Sequence, residues 1–316
     1  MKLALLPALA LLLAVPGPLK TQTQSVSVLP SATDPQITTF NDEHTLYLNP
    51  AVPPRNELLV FLPGTNGKTK NTKLFCTRAA ELGYHVICLM YPDNLSATAC
   101  WTDEDKEAFT KFRLELIEGG DKSPHLEVNR ANSIENRLIK LLAYVREKRP
   151  TESWGQFLTT KDELVWEKLA LAGQSQGGGH AALMAREHLV ARVLMFSSPK
   201  DYSRRYNQPA AWYTTPKTPL SRYFTFQHLQ DKQGCNYQQQ LEILKTLGLT
   251  KLGEPVSVDT AKPPYAHSHI LTTNYPGTPV PSTQAHTSVV GDGGTPKNEK
   301  KQPLFEPVWT YMLTEK

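Results

Sequence analysis

The chain has 316 residues, a net charge of +4 and 40% hydrophobic residues. That length suits one large domain or two small ones and allows a sizeable buried core. The mild charge and the lack of a basic run interleaved with aromatics argue against nucleic acid and point to no particular partner.

Met1-Lys2 supplies a positive end, Leu3 to Val15 is a leucine- and alanine-rich apolar run, and Pro16-Gly17-Pro18 closes it. This predicts a signal peptide over residues 1–20, too short to span a bilayer comfortably, and so a secreted or periplasmic protein. No other stretch is long and apolar enough for stable membrane insertion. Residues 21–42 are polar and read as a disordered arm, leaving 43–316 as the folded domain.

Glu43 to Leu48 alternates and predicts an antiparallel strand. Leu58 to Leu62 (LLVFL) is continuously apolar, as in a strand buried on both faces. Pro63 to Gly67 turns out of it, a helix follows from Asn71 to Leu82, and Gly83 ends that helix. Tyr84 to Met90 is the next buried strand. Residues 93–130 exceed a simple crossover and contain an acidic helix, Asp103 to Glu118, so they read as an insertion over the sheet's C-terminal edge. Asn132, with Glu135 three residues on, forms a candidate capping box. A polar loop, Pro150 to Asp162, leads to the strand beginning at Leu169. Strands at Arg192–Phe196, Arg222–Phe226 and His269–Thr273 follow, with helices at Tyr237–Leu247 and Leu304–Leu313. Such alternation predicts an α/β fold, a mostly parallel central sheet with helices on both faces.

The chemistry concentrates in Leu169 to His180, LALAGQSQGGGH. Gly173-Gln174-Ser175-Gln176-Gly177 is a G-x-S-x-G pattern with a strand before it and a helix after. A serine on so sharp a turn is forced into strained angles with its hydroxyl exposed, and the helix start aims free N–H groups at nearby negative charge. In this context the chain resembles the α/β-hydrolase superfamily, and most of all its secreted, esterase-like members with a G-x-S-Q-G-G-G-H elbow. The resemblance runs from about Glu57 to the C-terminus, and Gln174 stands where a histidine often precedes the serine.

The resemblance implies a Ser-acid-His order and hydrolysis of a carboxylic ester through an acyl-enzyme, with no metal or organic cofactor. Ser175 is the nucleophile. His286, beyond the last core strand, is the base, with His267 and His269 as rivals on the wrong side of that strand. Asp231, after the later strand, is the acid; Asp201, after the earlier one, is the alternative. Thr65 in the Pro63-Gly64-Thr65 turn and Gln176 after the nucleophile are the oxyanion donors. The substrate is a small-molecule or lipid-like ester. A secreted peptidase or amidase would use the same triad, and a hydrolase-fold binding protein without activity is the alternative from another class.

Two further patterns compete for attention. Gly64-Thr65-Asn66-Gly67-Lys68-Thr69 resembles the phosphate loop of the Mur ligases, but the common G-x-x-x-x-G-K-[ST] form needs a glycine where Leu62 stands. The four cysteines, Cys76, Cys88, Cys100 and Cys235, have no zinc spacing. Cys100 and Cys235 both follow parallel strands and are the expected disulfide pair, while Cys76 and Cys88 read as buried thiols.

Overall fold

Nine strands form one sheet in the computed structural model, which describes residues 22–315. They are β1 (Gln24–Val28), β2 (His44–Leu48), β3 (Leu58–Leu62), β4 (His85–Cys88), β5 (Leu169–Gln174), β6 (Arg192–Phe196), β7 (Tyr223–His228), β8 (Val256–Ser257) and β9 (Ile270–Thr273). Their order is β1-β2-β4-β3-β5-β6-β7-β9-β8. The β1–β2 and β2–β4 pairs are antiparallel, and every other neighbouring pair in this sheet is parallel. The fold is therefore α/β with a mostly parallel sheet. The predicted signal peptide lies outside the described residues.

The apolar strands divide their side chains between two cores, because successive residues point to opposite faces. Val60, Leu171 and Met195 meet helices α2 (Ala108–Glu118), α3 (Ile134–Lys148) and α4 (Gln176–Glu187) on one face. Phe61, Ala172 and Phe196 meet α1 (Lys73–Glu81) and the last helix (Glu306–Thr314) on the other, with Phe75 edge-on to both Phe196 and Trp309. Each fully buried Leu, Val or Phe contributes about 1.5–3 kcal/mol. Two-sided burial is why LLVFL needs no polar alternation: all five residues are inaccessible to solvent. Among the described residues no helix is long and apolar enough to cross a membrane.

Three expectations are corrected. The arm at 21–42 is not disordered over its described length. Gln24 to Val28 pairs with β2 as an edge strand, using the small Ser/Val alternation that a composition-based reading passes over. Beyond it, the buried Arg137 guanidinium of α3 donates to the carbonyls of Thr39 and Phe40. The α3 cap is Ser133, whose hydroxyl accepts from the Asn136 N–H at 3.3 Å. Asn132 is committed elsewhere, its Oδ1 accepting from the Thr39 N–H and hydroxyl. All four cysteines are buried free thiols, so the Cys100–Cys235 bridge is absent. Cys100 lines a small cavity with Phe109 and Ala210, whereas the Cys235 carbonyl faces the Lys200 ammonium. Burial pushes both thiols up to about 12, which keeps them protonated and inert. His286 lies beyond the last core strand, in a short helix, Ser282–Ser288.

Candidate active site

In the sheet order, β4 lies on one side of β3 and β5 on the other. The crevice outside the carboxyl ends of β3 and β5 is thus a topological switch point, where open α/β sheets bind ligands. The loop after β3 and the turn after β5 meet there. Ser175 occupies that turn with φ 54° and ψ −118°, a backbone conformation that costs an L-residue about 1–3 kcal/mol. Helix α4 starts at the next residue and approaches β3 closely. A Cβ on Gly177 would stand 2.0 Å from the Leu62 carbonyl oxygen, so no other residue fits.

Two amide groups flank the serine. No backbone carbonyl among the described residues accepts from the N–H of Thr65 or of Gln176. The Gln176 side chain is fully engaged and ties the turn to the insertion: Oε1 accepts from the Ala97 N–H at 2.9 Å and from the Thr65 hydroxyl at 3.3 Å, and Nε2 donates to the Leu95 carbonyl at 2.9 Å. The Thr65 loop is held from below, where the Tyr91 hydroxyl donates to the Pro63 carbonyl at 2.7 Å and the Asn66 N–H donates to the Asp93 carbonyl at 3.0 Å. The Asp93 carboxyl is buried there with Oδ2 unpartnered. Burial pushes it up to about 7, against the opposing pull of the Lys68 cation.

His286 and Asp231 form the second half. His286 Nδ1 donates to Asp231 Oδ2 at 2.8 Å, which fixes the imidazole tautomer and leaves Nε2 as the basic nitrogen. Asp231 is buried, and its Oδ1 accepts from the Gln233 N–H at 2.8 Å. Burial alone would raise its pKa; the His286 hydrogen bond and the Lys200 charge outweigh burial and hold the carboxyl below its usual range. The His286 backbone is anchored by Gln174, the neighbour of Ser175, and by Ser197. Its carbonyl accepts from Gln174 Nε2 at 3.2 Å and from the Ser197 hydroxyl at 2.8 Å. Gln174, directly before Ser175, is thereby tied to the His286 backbone. Ser175, His286, Thr65 and Gln176 line one cavity of about 560 Å³.

Asp201 also lines this cavity but is paired elsewhere. Both of its oxygens accept from the buried Arg113 guanidinium, at 2.5 Å each, and Oδ2 also accepts from Trp212 Nε1 at 2.9 Å. Arg113 reaches further, donating to the Gln176 carbonyl at 2.9 Å. Its guanidinium fills the space beside Gly179, where an added Cβ would come within 2.3 Å of Arg113 Cζ. The rival histidines lie outside the cavity: His267 pairs with Glu315 at 2.5 Å, and His269 stacks on Phe224. His180 is buried against Tyr91; burial and then the Arg113 cation hold it well below the usual histidine range.

The loop resembling a phosphate loop is spent on structure. Lys68 pairs with Asp42 at 2.6 Å, and the buried Thr69 hydroxyl donates to the Glu43 carbonyl at 3.0 Å. Two residues that matter at the site, Arg113 and Lys200, escaped the reading of the sequence. Arg113 carries a signal, since it falls on the same helical face as Phe109, Phe112 and Leu116. Lys200 carries none; a lysine beside an aspartate after a strand is ordinary loop composition. Comparison with known families and curated proteins yields no matching family model and no matching protein.

Proposed function

We propose that the protein is an α/β-hydrolase-fold serine hydrolase of carboxylic esters, exported by its N-terminal leader. The observation that carries this reading is the conjunction at one cavity of a strained Ser175 on a strand-to-helix turn and an Asp231-oriented His286. Neither alone is diagnostic, but together they supply nucleophile, base and orienting acid.

The chemistry follows from the donors present. His286 Nε2 takes the Ser175 hydroxyl proton as Oγ attacks the ester carbonyl. The tetrahedral oxyanion points at the Thr65 and Gln176 N–H groups, a contribution of about 3–4 kcal/mol per well-placed donor. The protonated imidazole, stabilised by Asp231, then protonates the leaving alkoxide, and an acyl-enzyme remains. Water, deprotonated by the same His286, releases the acid and restores the serine. No step requires a metal or an organic cofactor.

The cavity walls mix polar and apolar groups, and the polar ones bear on the acyl chain. Asn66, Asn71, Gln174, Gln233, Ser96 and Thr98 face the space, with Trp101 and Phe109 as its large apolar walls. A long acyl chain gains about 25 cal/mol per Å² only where it meets apolar surface, and it strips water from any amide it covers. Short or hydroxylated acyl groups avoid that cost. The test is a panel of p-nitrophenyl acetate, butyrate and octanoate with wild type and Ser175→Ala. The reading expects turnover that falls from acetate to octanoate and vanishes in the variant. Turnover that survives in Ser175→Ala contradicts the nucleophile, and preference for octanoate contradicts the substrate size.

A further inference from the structure

One carboxylate oxygen at the site accepts from two basic side chains. Asp231 Oδ2 accepts from His286 Nδ1 at 2.8 Å and from Lys200 Nζ at 2.9 Å. Lys200 is no surface lysine: it is 8% exposed, lies just beyond β6 and lines the cavity that holds Ser175. Its ammonium also faces the Cys235 carbonyl at 3.4 Å, so it clamps the backbone of the acid-bearing loop as well as the acid.

We propose that Lys200 is a positioning residue that sets the charge balance of the Asp231–His286 pair. This rests on the hydrolase reading above. In a triad where the acid meets only histidine, the full carboxylate charge favours the imidazolium. Here the carboxylate is already neutralised by a permanent cation at hydrogen-bond distance, so protonating His286 adds a second positive charge beside the first. Neutral imidazole, the form able to accept the serine proton, is thereby favoured, and the site stays active to lower pH. Against the upward push of burial, the His286 hydrogen bond and then the Lys200 charge hold the Asp231 carboxyl below its usual range.

Other charges near the pair do not undo this balance. Asp201, the next residue in the chain, is neutralised by Arg113 through both oxygens. The Cys235 thiol is pushed up to about 12 and carries no charge at neutral pH. His228, on β7 in the same loop region, commits Nδ1 to the Gln230 N–H and Nε2 to the Tyr275 carbonyl. Lys232 is exposed and solvated. Lys200 and His286 are the two basic groups paired with the Asp231 carboxylate.

The test measures the rate of covalent labelling by a fluorophosphonate between pH 4 and 9, which needs the nucleophile and its base but no identified substrate. Wild type is compared with Lys200→Met, Lys200→Gln and Lys200→Arg, each first checked for folding by thermal melting. The proposal expects the acidic limb to move up by about one pH unit in Lys200→Met and in Lys200→Gln, and to stay in place in Lys200→Arg. If the methionine variant does not fold, the glutamine variant carries the same expectation, because it is neutral but still donates to Asp231. An unmoved or downshifted limb in the neutral variants overturns the proposal, as does an arginine variant that shifts like them. Wild type that does not label at all overturns the hydrolase reading instead, so the two failures are distinguishable.

Discussion

Asp201 and Asp231 follow neighbouring parallel strands and are both buried, yet they are partnered differently: Asp201 lines the cavity around Ser175 directly, whereas Asp231 meets it through His286. Asp201 is saturated by rigid donors, with Arg113 on both oxygens and the Trp212 indole on one. What it holds in place is architecture: Arg113 carries the constraint from the insertion to the Gln176 carbonyl and fills the space beside Gly179. Asp231 instead gives one oxygen to a titratable imidazole. On the proposed hydrolase reading, burial and a cationic partner do not separate a structural carboxylate from a functional one. The identity of the partner, and what that partner touches, does.

The largest expected effect is on the chemistry itself. Ser175→Ala and His286→Ala should each lower ester turnover by at least about 10³-fold, and the double variant should be little worse than either single, because the two act as one unit. Additive losses in steady-state kinetics would argue against a shared mechanism.

Next come the two acids, compared as charge-neutral pairs so that neither leaves a buried cation unpaired. Asp231→Asn with Lys200→Met should cost about 10³–10⁴-fold in kcat while the protein stays folded. Asp201→Asn with Arg113→Met should show the reverse emphasis, a lower midpoint in urea and no more than about tenfold in kcat. The single change Asp201→Asn leaves Arg113 uncompensated and should destabilise by about 3–5 kcal/mol. Equal kinetic damage from both pairs would erase the distinction.

A smaller effect belongs to Asp93 beneath the Thr65 loop. Its folded-state pKa, about 7, lies above the unfolded value, so the folded protein holds that proton more tightly. Stability from this group is complete below about pH 4 and is lost as pH rises toward 7, at up to about 1.4 kcal/mol per unit. Thermal melts of Asp93→Asn should lose that downward slope between pH 5 and 7. A slope identical to wild type would show that the carboxyl ionises without cost.

The smallest expected effect tests the strain at the elbow. Ser175→Gly should raise stability by about 1 kcal/mol relative to Ser175→Ala, because glycine accepts φ 54° without a Cβ penalty. A glycine variant no more stable than the alanine variant would mean the turn stores no strain.

Much of the scaffold could be read directly. Leu58–Leu62 and Tyr237–Leu247 have the bounds expected of them, because continuous apolar runs and a capped amphipathic period are local signals. The pairing of His286 with Asp231 was also within reach, because the resemblance to the α/β-hydrolases implies a Ser-acid-His order with the acid after the later strand. What stayed hidden depends on distant partners. The edge strand at Gln24–Val28 needs β2 beside it to be stable. Asn132 could not cap α3 once Thr39 had claimed its oxygen, and nothing local announces that claim. The third glycine of the QGGGH run is explained only by Arg113, which lies 66 residues earlier in the chain. Lys200 is the extreme case, since its importance comes wholly from the carboxylate it shares.

The most direct test of the account is to treat the full chain with a fluorophosphonate at neutral pH, measure its intact mass and map the modified peptide. The account expects one adduct per chain, on Ser175, lost in Ser175→Ala and strongly slowed in His286→Ala. A folded protein that takes up no label, or one labelled at another residue while Ser175 stays free, would contradict it.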